Sequence, residues 1–233
     1  MTASEPAPAE SVLTIGVLSD LHGETALLRR PPADLAGCDL LVLCGDMTHF
    51  GGQREAEIIL DLAQQLTTRL LAVGGNCDRL SVHRLLEQRE MGLHATCHHV
   101  LDISFCGLAG ARPGPRHTPF TLTESQQAAA IERGIALAHP AEPLVLVAHE
   151  PPLGTLADLV SSGEHVGSPA LRRAVERHRP ILCLCGHIHE SSGSDQLGDT
   201  LVLNPGPARD GRYALVMLSS KGQLIGQRMC HRQ

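Results

Sequence analysis

Ile181-Leu182-Cys183-Leu184-Cys185-Gly186-His187-Ile188-His189 is the stretch that decides how this chain is read. Its first four residues are apolar at consecutive positions, so no face is left for water. A run that short and that uniformly apolar suits a strand buried on both sides, as in a mainly parallel sheet. It ends in a glycine and two histidines, which a buried strand has no use for. Four earlier runs share the form. Leu13–Leu18 runs into Ser19-Asp20-Leu21-His22, and Leu40–Leu43 into Cys44-Gly45-Asp46. Leu70–Val73 leads to Gly74-Gly75-Asn76-Cys77-Asp78, and Leu144–Val147 to Ala148-His149-Glu150.

Amphipathic segments lie between these runs, which makes the class α/β. Arg54–Leu66 places Ile58, Ile59, Leu62 and Leu66 at helical spacing. Thr123-Glu124-Ser125-Gln126 has the form of a capping box, and its helix must stop before Pro140. Ser168-Pro169 supplies an N-cap and a first-turn proline for a helix with Leu171, Ala174 and Val175 on one face. Towards the C-terminus the character changes. Leu201–Leu203, Tyr213–Leu218 and Leu224–Met229 alternate with Asn204-Pro205-Gly206-Pro207, Asp210-Gly211 and Lys221-Gly222, which predicts an antiparallel meander. A parallel half followed by a hairpin half suggests two packed sheets with helices outside.

With 233 residues, 42% of them hydrophobic and 19% charged, the chain suits one large globular domain. Residues 1–11 read as a disordered tail, and 12–233 as the domain. Trp is absent, Tyr occurs once and Phe three times, so the core must be aliphatic. The net charge of −6 provides no global attraction for a nucleic-acid backbone. Eight cysteines without a C-x-x-C pair read as reduced thiols, buried in all cases but Cys77. Neither a signal peptide nor a membrane span is evident, so a cytoplasmic location without membrane association is expected.

The strand ends carry the chemistry. C-terminal ends of parallel strands share one edge, where ligand sites form. Four imidazoles, two carboxylates and an amide would meet there. That set suits Mn²⁺, Fe²⁺, Ni²⁺, Co²⁺ or Zn²⁺ better than Ca²⁺. Seven groups are too many for one ion with an open position, and suit two ions roughly 3.5–4 Å apart. Each piece alone has an ordinary structural explanation: Asp20 as a helix cap, Asp46 as a turn residue, Asn76 as a left-handed turn, His149 as a satisfied buried imidazole. Their ordered conjunction, each at the same end of a strand, favours the metal reading.

Asp20-x-His22, Gly45-Asp46, Gly75-Asn76-x-Asp78, His149 and Gly186-His187-x-His189, in that order, resemble the signature of the calcineurin-like metallophosphoesterases. The resemblance spans about residues 13 to 218. Gly45-Asp46-Met47-Thr48-His49-Phe50-Gly51, Asn204-Pro205-Gly206 and Gly211-Arg212-Tyr213 are similar to the small prokaryotic branch. The resemblance implies a four-layer α/β/β/α sandwich of two mixed sheets flanked by helices. It also implies two divalent metal ions, Mn²⁺ foremost, with Fe, Ni, Co or Zn as substitutes. Asp20, His22 and His189 would hold one and Asn76, His149 and His187 the other, with Asp46 bridging. Attack on phosphorus would come in line from a hydroxide on the metals.

The chain departs from the family at Cys77, where many members carry histidine. A neutral thiol is a weak donor without positive charge. Losing a general acid costs about 10²–10⁴-fold when the leaving group needs a proton. A bias towards phosphodiesters follows, with weak action on alkyl monoesters. A catalytic Cys77 thiolate is the rival reading. Asp78, a further candidate at the catalytic site, would normally orient the histidine and is here left to brace its loop. His49 is a candidate rim residue, as proton donor or phosphate contact. Arg112, Arg116 and His117 fall in a loop that could carry specificity. His98, His99 and His231 look incidental. The expected partner is a small phosphodiester rather than extended nucleic acid, and a homo-oligomer is compatible with the sequence. Two other functions compete: a scaffold on the same fold, against which the complete ligand set counts, and a nuclease, against which acidity and scarce aromatics count.

Overall fold

Leu40–Cys44 is buried at all five positions because a layer covers each of its faces. Leu41 and Leu43 pack with Leu27, Leu28, Ile59, Leu60 and Leu85. Leu40, Val42 and Cys44 point the other way, against Val145, Val147, Leu182 and Leu184. The second set of strands repeats the pattern, with Leu146, Ala148 and Cys183 turned to Ala130, Ile131, Leu171 and Val175. Three successive apolar layers therefore separate helices, sheet, sheet and helices.

The computed structural model describes residues 12–232, so the tail expected over 1–11 lies outside the described residues. In chain order the elements are β1 (Val12–Leu18), α1 (Ala26–Arg29), α2 (Ala33–Ala36), β2 (Leu40–Cys44), α3 (Gln53–Gln64), β3 (Leu70–Val73), α4 (Leu80–Gln88), β4 (Cys97–Val100), β5 (Ile103–Leu108), α5 (Glu124–Ile135), β6 (Leu144–Ala148), α6 (Pro169–His178), β7 (Leu182–Leu184), β8 (Gly193–Leu197), β9 (Thr200–Asn204), β10 (Arg212–Ser219) and β11 (Leu224–His231). One sheet has the order β11-β10-β1-β2-β3 and the other β4-β5-β6-β7-β9-β8. In the first, β1, β2 and β3 are parallel, starting from Ile15 opposite Leu40 and Leu41 opposite Leu70. In the second, β5, β6, β7 and β9 are parallel. This is the expected α/β/β/α sandwich.

The predicted caps form. Thr123 Oγ1 accepts from the Gln126 backbone at 3.3 Å while Gln126 Oε1 accepts from the Thr123 backbone at 2.8 Å. Ser168 Oγ accepts from the Leu171 N–H at 3.0 Å, with Pro169 in the first turn. The predicted meander forms only in part: β10 and β11 pair antiparallel, but β9 does not join them. β9 is parallel to β7 and antiparallel to β8, and belongs to a different sheet from β10 and β11. Hydrophobic alternation marks a strand but carries no information about its partner. The helix predicted over Arg54–Leu66 ends at Gln64 and buries Ala56, Ile59, Leu60 and Ala63, leaving Ile58 exposed. β4 and β8 have no apolar signature because each is an edge strand of its sheet. No helix among the described residues is long and apolar enough to cross a membrane.

Candidate metal centre

The loops after β1, β2, β3, β6 and β7 converge, so the site draws on both sheets rather than on the edge of one. Backbone bonds lock the loops together. The Asp20 N–H donates to the Gly45 carbonyl (3.0 Å), the His22 N–H to the Asp46 carbonyl (2.8 Å) and the Gly186 N–H to the His149 carbonyl (3.0 Å). Ten non-glycine residues among the described ones have positive φ, and four of them are Asp20 (56°), His22 (48°), Asp46 (49°) and His187 (68°). Left-handed backbone costs a side-chain-bearing residue energy and persists where the surroundings impose it, commonly at functional sites. Two glycines are required by close approach. A Cβ on Gly75 would lie 2.0 Å from Asp46 Oδ1, and one on Gly45 would lie 2.4 Å from His149 Nδ1.

Two clusters result. In the first, His189 Nε2 is 3.2 Å from both Asp20 Oδ1 and His22 Nε2. In the second, His149 Nε2 is 2.9 Å from Asn76 Oδ1 and 3.4 Å from Asp46 Oδ2. The His187 ring joins the second, with one donor atom each from Asp46, His149 and His187 inside a 4.8 Å group. Asp46 Oδ2 is also 3.8 Å from His22 Nε2, which places this carboxylate between the clusters.

The donor set fits divalent cations. His149 Nδ1 donates to the Cys44 carbonyl at 2.8 Å, so Nε2 is the nitrogen left to bind. That nitrogen faces two oxygen acceptors, and something positive must lie among the three. Without a metal a proton serves. Burial alone would drive the His149 imidazole neutral, but the Asp46 and Asp20 carboxylates outweigh it and push its pKa up to about 10. His187 goes the other way, to about 4, through burial and then the neighbouring His149 charge, so it stays neutral as a ligand must. Asp46 titrates well below the usual range: burial opposes this, but His149 and His22 prevail.

The family model for the calcineurin-like phosphoesterase superfamily domain matches residues 13–219. The chain belongs to that superfamily. Its members are metal-dependent phosphoesterases with dinuclear centres, so hydrolysis of phosphate esters is the chemistry of this chain's class. An uncharacterized protein of Methanocaldococcus jannaschii is 35% identical over 195 residues, which are 82% of this chain and 86% of that one. A crystal structure from Thermus thermophilus shares the fold at TM-score 0.70 and 18% identity, covering 95% of this chain and 99% of its own. Purple acid phosphatase from yellow lupin (Lupinus luteus) seeds shares it at TM-score 0.57 and 14% identity, covering 98% of this chain and 55% of its own.

In this calcineurin-like phosphoesterase the donor clusters form the floor of a cleft of about 580 Å³. Cys77 lines it, with Sγ grouped with the His22 and Asp46 donor atoms. The residue is buried like the other core thiols, contrary to its expected exception. Burial first, and then the Asp46 charge, raise its pKa, which favours the neutral thiol over the thiolate. The Cys77 N–H donates to Asp46 Oδ1 at 2.7 Å, orienting the shared carboxylate.

The Asp78 carboxylate is fully buried and is not among the residues that line the cleft. It accepts from the Met47 N–H (3.1 Å), the Thr48 N–H and hydroxyl (2.8 Å each) and the Gly75 N–H (2.8 Å), pinning the loop after β2 to the loop after β3. His49 stands exposed at the rim, with Nδ1 3.4 Å from His22 Nδ1. Arg112 lines the cleft but is already committed. Its Nε donates to Glu150 at 2.9 Å and its terminal nitrogen to the Val166 and Gly167 carbonyls at 2.7 and 2.6 Å. Arg116 lines the cleft, whereas His117 does not. His98, His99 and His231 bond elsewhere, to the Gly92 carbonyl, Glu142 and the Asp210 carbonyl.

Three residues escaped the sequence reading. Arg209 lines the cleft and donates to His189 Nδ1 at 3.2 Å. Asn204 donates to the Ile188 carbonyl at 2.9 Å and braces the H-x-H loop, a contact that neither the turn signal nor the family-like Asn204-Pro205-Gly206 stretch specified. Phe50 also stands at the cleft; the sequence placed it in a family-like stretch but gave its side chain no role.

Proposed function

We propose that this phosphoesterase hydrolyses small phosphodiesters with the help of two divalent cations, Mn²⁺ being the first candidate. Asp20, His22 and His189 would hold one ion, and Asn76, His149 and His187 the other, with Asp46 shared. When bound, the cations neutralise phosphate charge and make water nucleophilic at neutral pH. The protein's own residues do the rest. The Cys44 carbonyl keeps the His149 ring in its binding tautomer, the Cys77 N–H aims Asp46, and Asp78 holds two ligand loops at fixed spacing.

The preference for diesters is carried by the uncharged, protonated thiol of Cys77 on the cleft wall. A diester has one negative charge fewer than a monoester dianion, so it loses less from the missing imidazolium. A diester whose leaving group is stable as an anion needs no proton from that position. His49, the exposed imidazole at the rim, can exchange protons with solvent on behalf of products. The net charge of −6 supports a small substrate over extended nucleic acid. Eight free thiols support a reducing compartment, the cytoplasm.

Cys77→His tests the reading. The variant should gain about 10-fold or more on alkyl phosphomonoesters while gaining little on an aryl diester. Unchanged monoester turnover in a variant that still binds two Mn²⁺ would remove the basis of the preference.

A further inference from the structure

The chain has four aromatic side chains of the Phe, Tyr and Trp type, and three are used inside. Phe105 is fully buried between the sheets. Phe120 stacks on His83 with ring centroids 3.8 Å apart. Tyr213 is buried, with its hydroxyl donating to Asp34 at 2.8 Å. The fourth, Phe50, is 39% exposed and lines the metal cleft. A lone exposed apolar residue is ordinary. This one also has φ of 59°, a conformation that a bulky side chain avoids unless held.

Phe50 is held on both sides. Its N–H donates to the Cys77 carbonyl at 3.1 Å, and the following Gly51 carbonyl accepts from the Arg79 N–H at 3.4 Å. The His49 ring packs against it at 4.7 Å between centroids, and His49 in turn meets His22 at 5.4 Å. The phenyl ring is thus two ring contacts from the donor floor, on a backbone held by hydrogen bonds on both sides. Arg116 and Arg209 line the same cleft, whose volume of about 580 Å³ is of the size that admits small ligands.

We infer that Phe50 is a stacking platform for a planar aromatic ring on the arm of the substrate that is retained after hydrolysis, so the preferred diester carries a nucleobase or aryl group there, beside its leaving group. This rests on the diesterase reading above. The phosphate would sit over the donor clusters and the ring would lie on Phe50, displacing water from both faces.

Binding to the Mn²⁺-loaded full chain decides the matter, with adenosine 5′-monophosphate and ribose 5-phosphate as calorimetric probes. Both present a ribose 5-phosphate, and only the first has an aromatic ring. The wild type should prefer the first by about 10-fold, the size expected for one stacked base. Phe50→Leu should abolish the preference, and Phe50→Tyr should keep it. A wild type without preference, a preference untouched in Phe50→Leu, or a Phe50→Tyr variant that behaves like Phe50→Leu would each overturn the inference. Turnover separates this from the parent reading. With 4-nitrophenyl thymidine 5′-phosphate and methyl 4-nitrophenyl phosphate, the ratio of kcat/KM should fall about 10-fold in Phe50→Leu. If monoesters are cleaved and neither diester is, the diesterase reading fails while the binding result still judges Phe50.

Discussion

Asp46 is the residue on which the site's geometry closes. One oxygen is engaged by the Cys77 N–H at 2.7 Å, and the other lies 3.4 Å from His149 Nε2 and 3.8 Å from His22 Nε2. Asp46→Asn keeps the shape and removes the charge that both clusters share. Elemental analysis after Mn²⁺ loading should give fewer than two ions per chain. Phosphoesterase activity should fall by about 100-fold or more, since even indirect partners of metal ligands cost 10–100-fold. Two tightly held ions in the variant would refute the bridging role. The same residue shows what one sequence could reveal. Gly45-Asp46 at a strand end is a recognisable place for a carboxylate, but its position between two clusters depends on His22 and His149, 24 and 103 positions away.

At the scale of elements, α4 packs its His83 under the loop that follows β3. His83 is buried and stacked on Phe120, and its Nε2 has no hydrogen-bond partner. Burial, reinforced by the charge on His94, pushes its pKa down to about 4 from an ordinary 6.5. Between pH 6.5 and 4 the unfolded chain binds a proton at this site that the native chain refuses, so stability falls as pH drops through that window. The loss attributable to His83 should reach about 3 kcal/mol near pH 4. Urea melts at pH 7, 5.5 and 4.5 should show His83→Leu losing less stability on acidification than the wild type. Parallel losses in both proteins would assign the acid sensitivity elsewhere. No motif marks His83, because burial of a helix face depends on the sheet behind it.

Across the whole molecule, the candidate ligands come from five strand ends in two sheets, and Asp20 reaches His189 across 169 positions. An unfolded chain cannot assemble such a set, so cations bind the native state almost alone. Each site filled at a hundredfold excess over its Kd should add about 2.7 kcal/mol of stability. For a chain of this length that is roughly 5–10 °C in Tm per site. Calorimetry with saturating Mn²⁺ should show the rise, and a chelator should reverse it. A melting temperature indifferent to Mn²⁺, Zn²⁺ and Ni²⁺ alike would show that the convergent side chains do not hold a metal.

The sequence alone determined the features governed by local chemistry. Apolar runs such as Leu40–Leu43 announce strands with no wet face, and Thr123 and Ser168 announce helix starts. The ordered polar residues after five strands announce a metal site, because backbone geometry puts a strand's end beside its neighbour's end. The tertiary structure alone decided which strands share a sheet, so β9 joins β7 instead of β10. It also committed Arg112 to Glu150, gave Asp78 four backbone and hydroxyl donors, and set Phe50 and Arg209 against the cleft. Those outcomes depend on contacts between segments far apart in the chain, formed only when two sheets pack face to face, and no local pattern of residues encodes them.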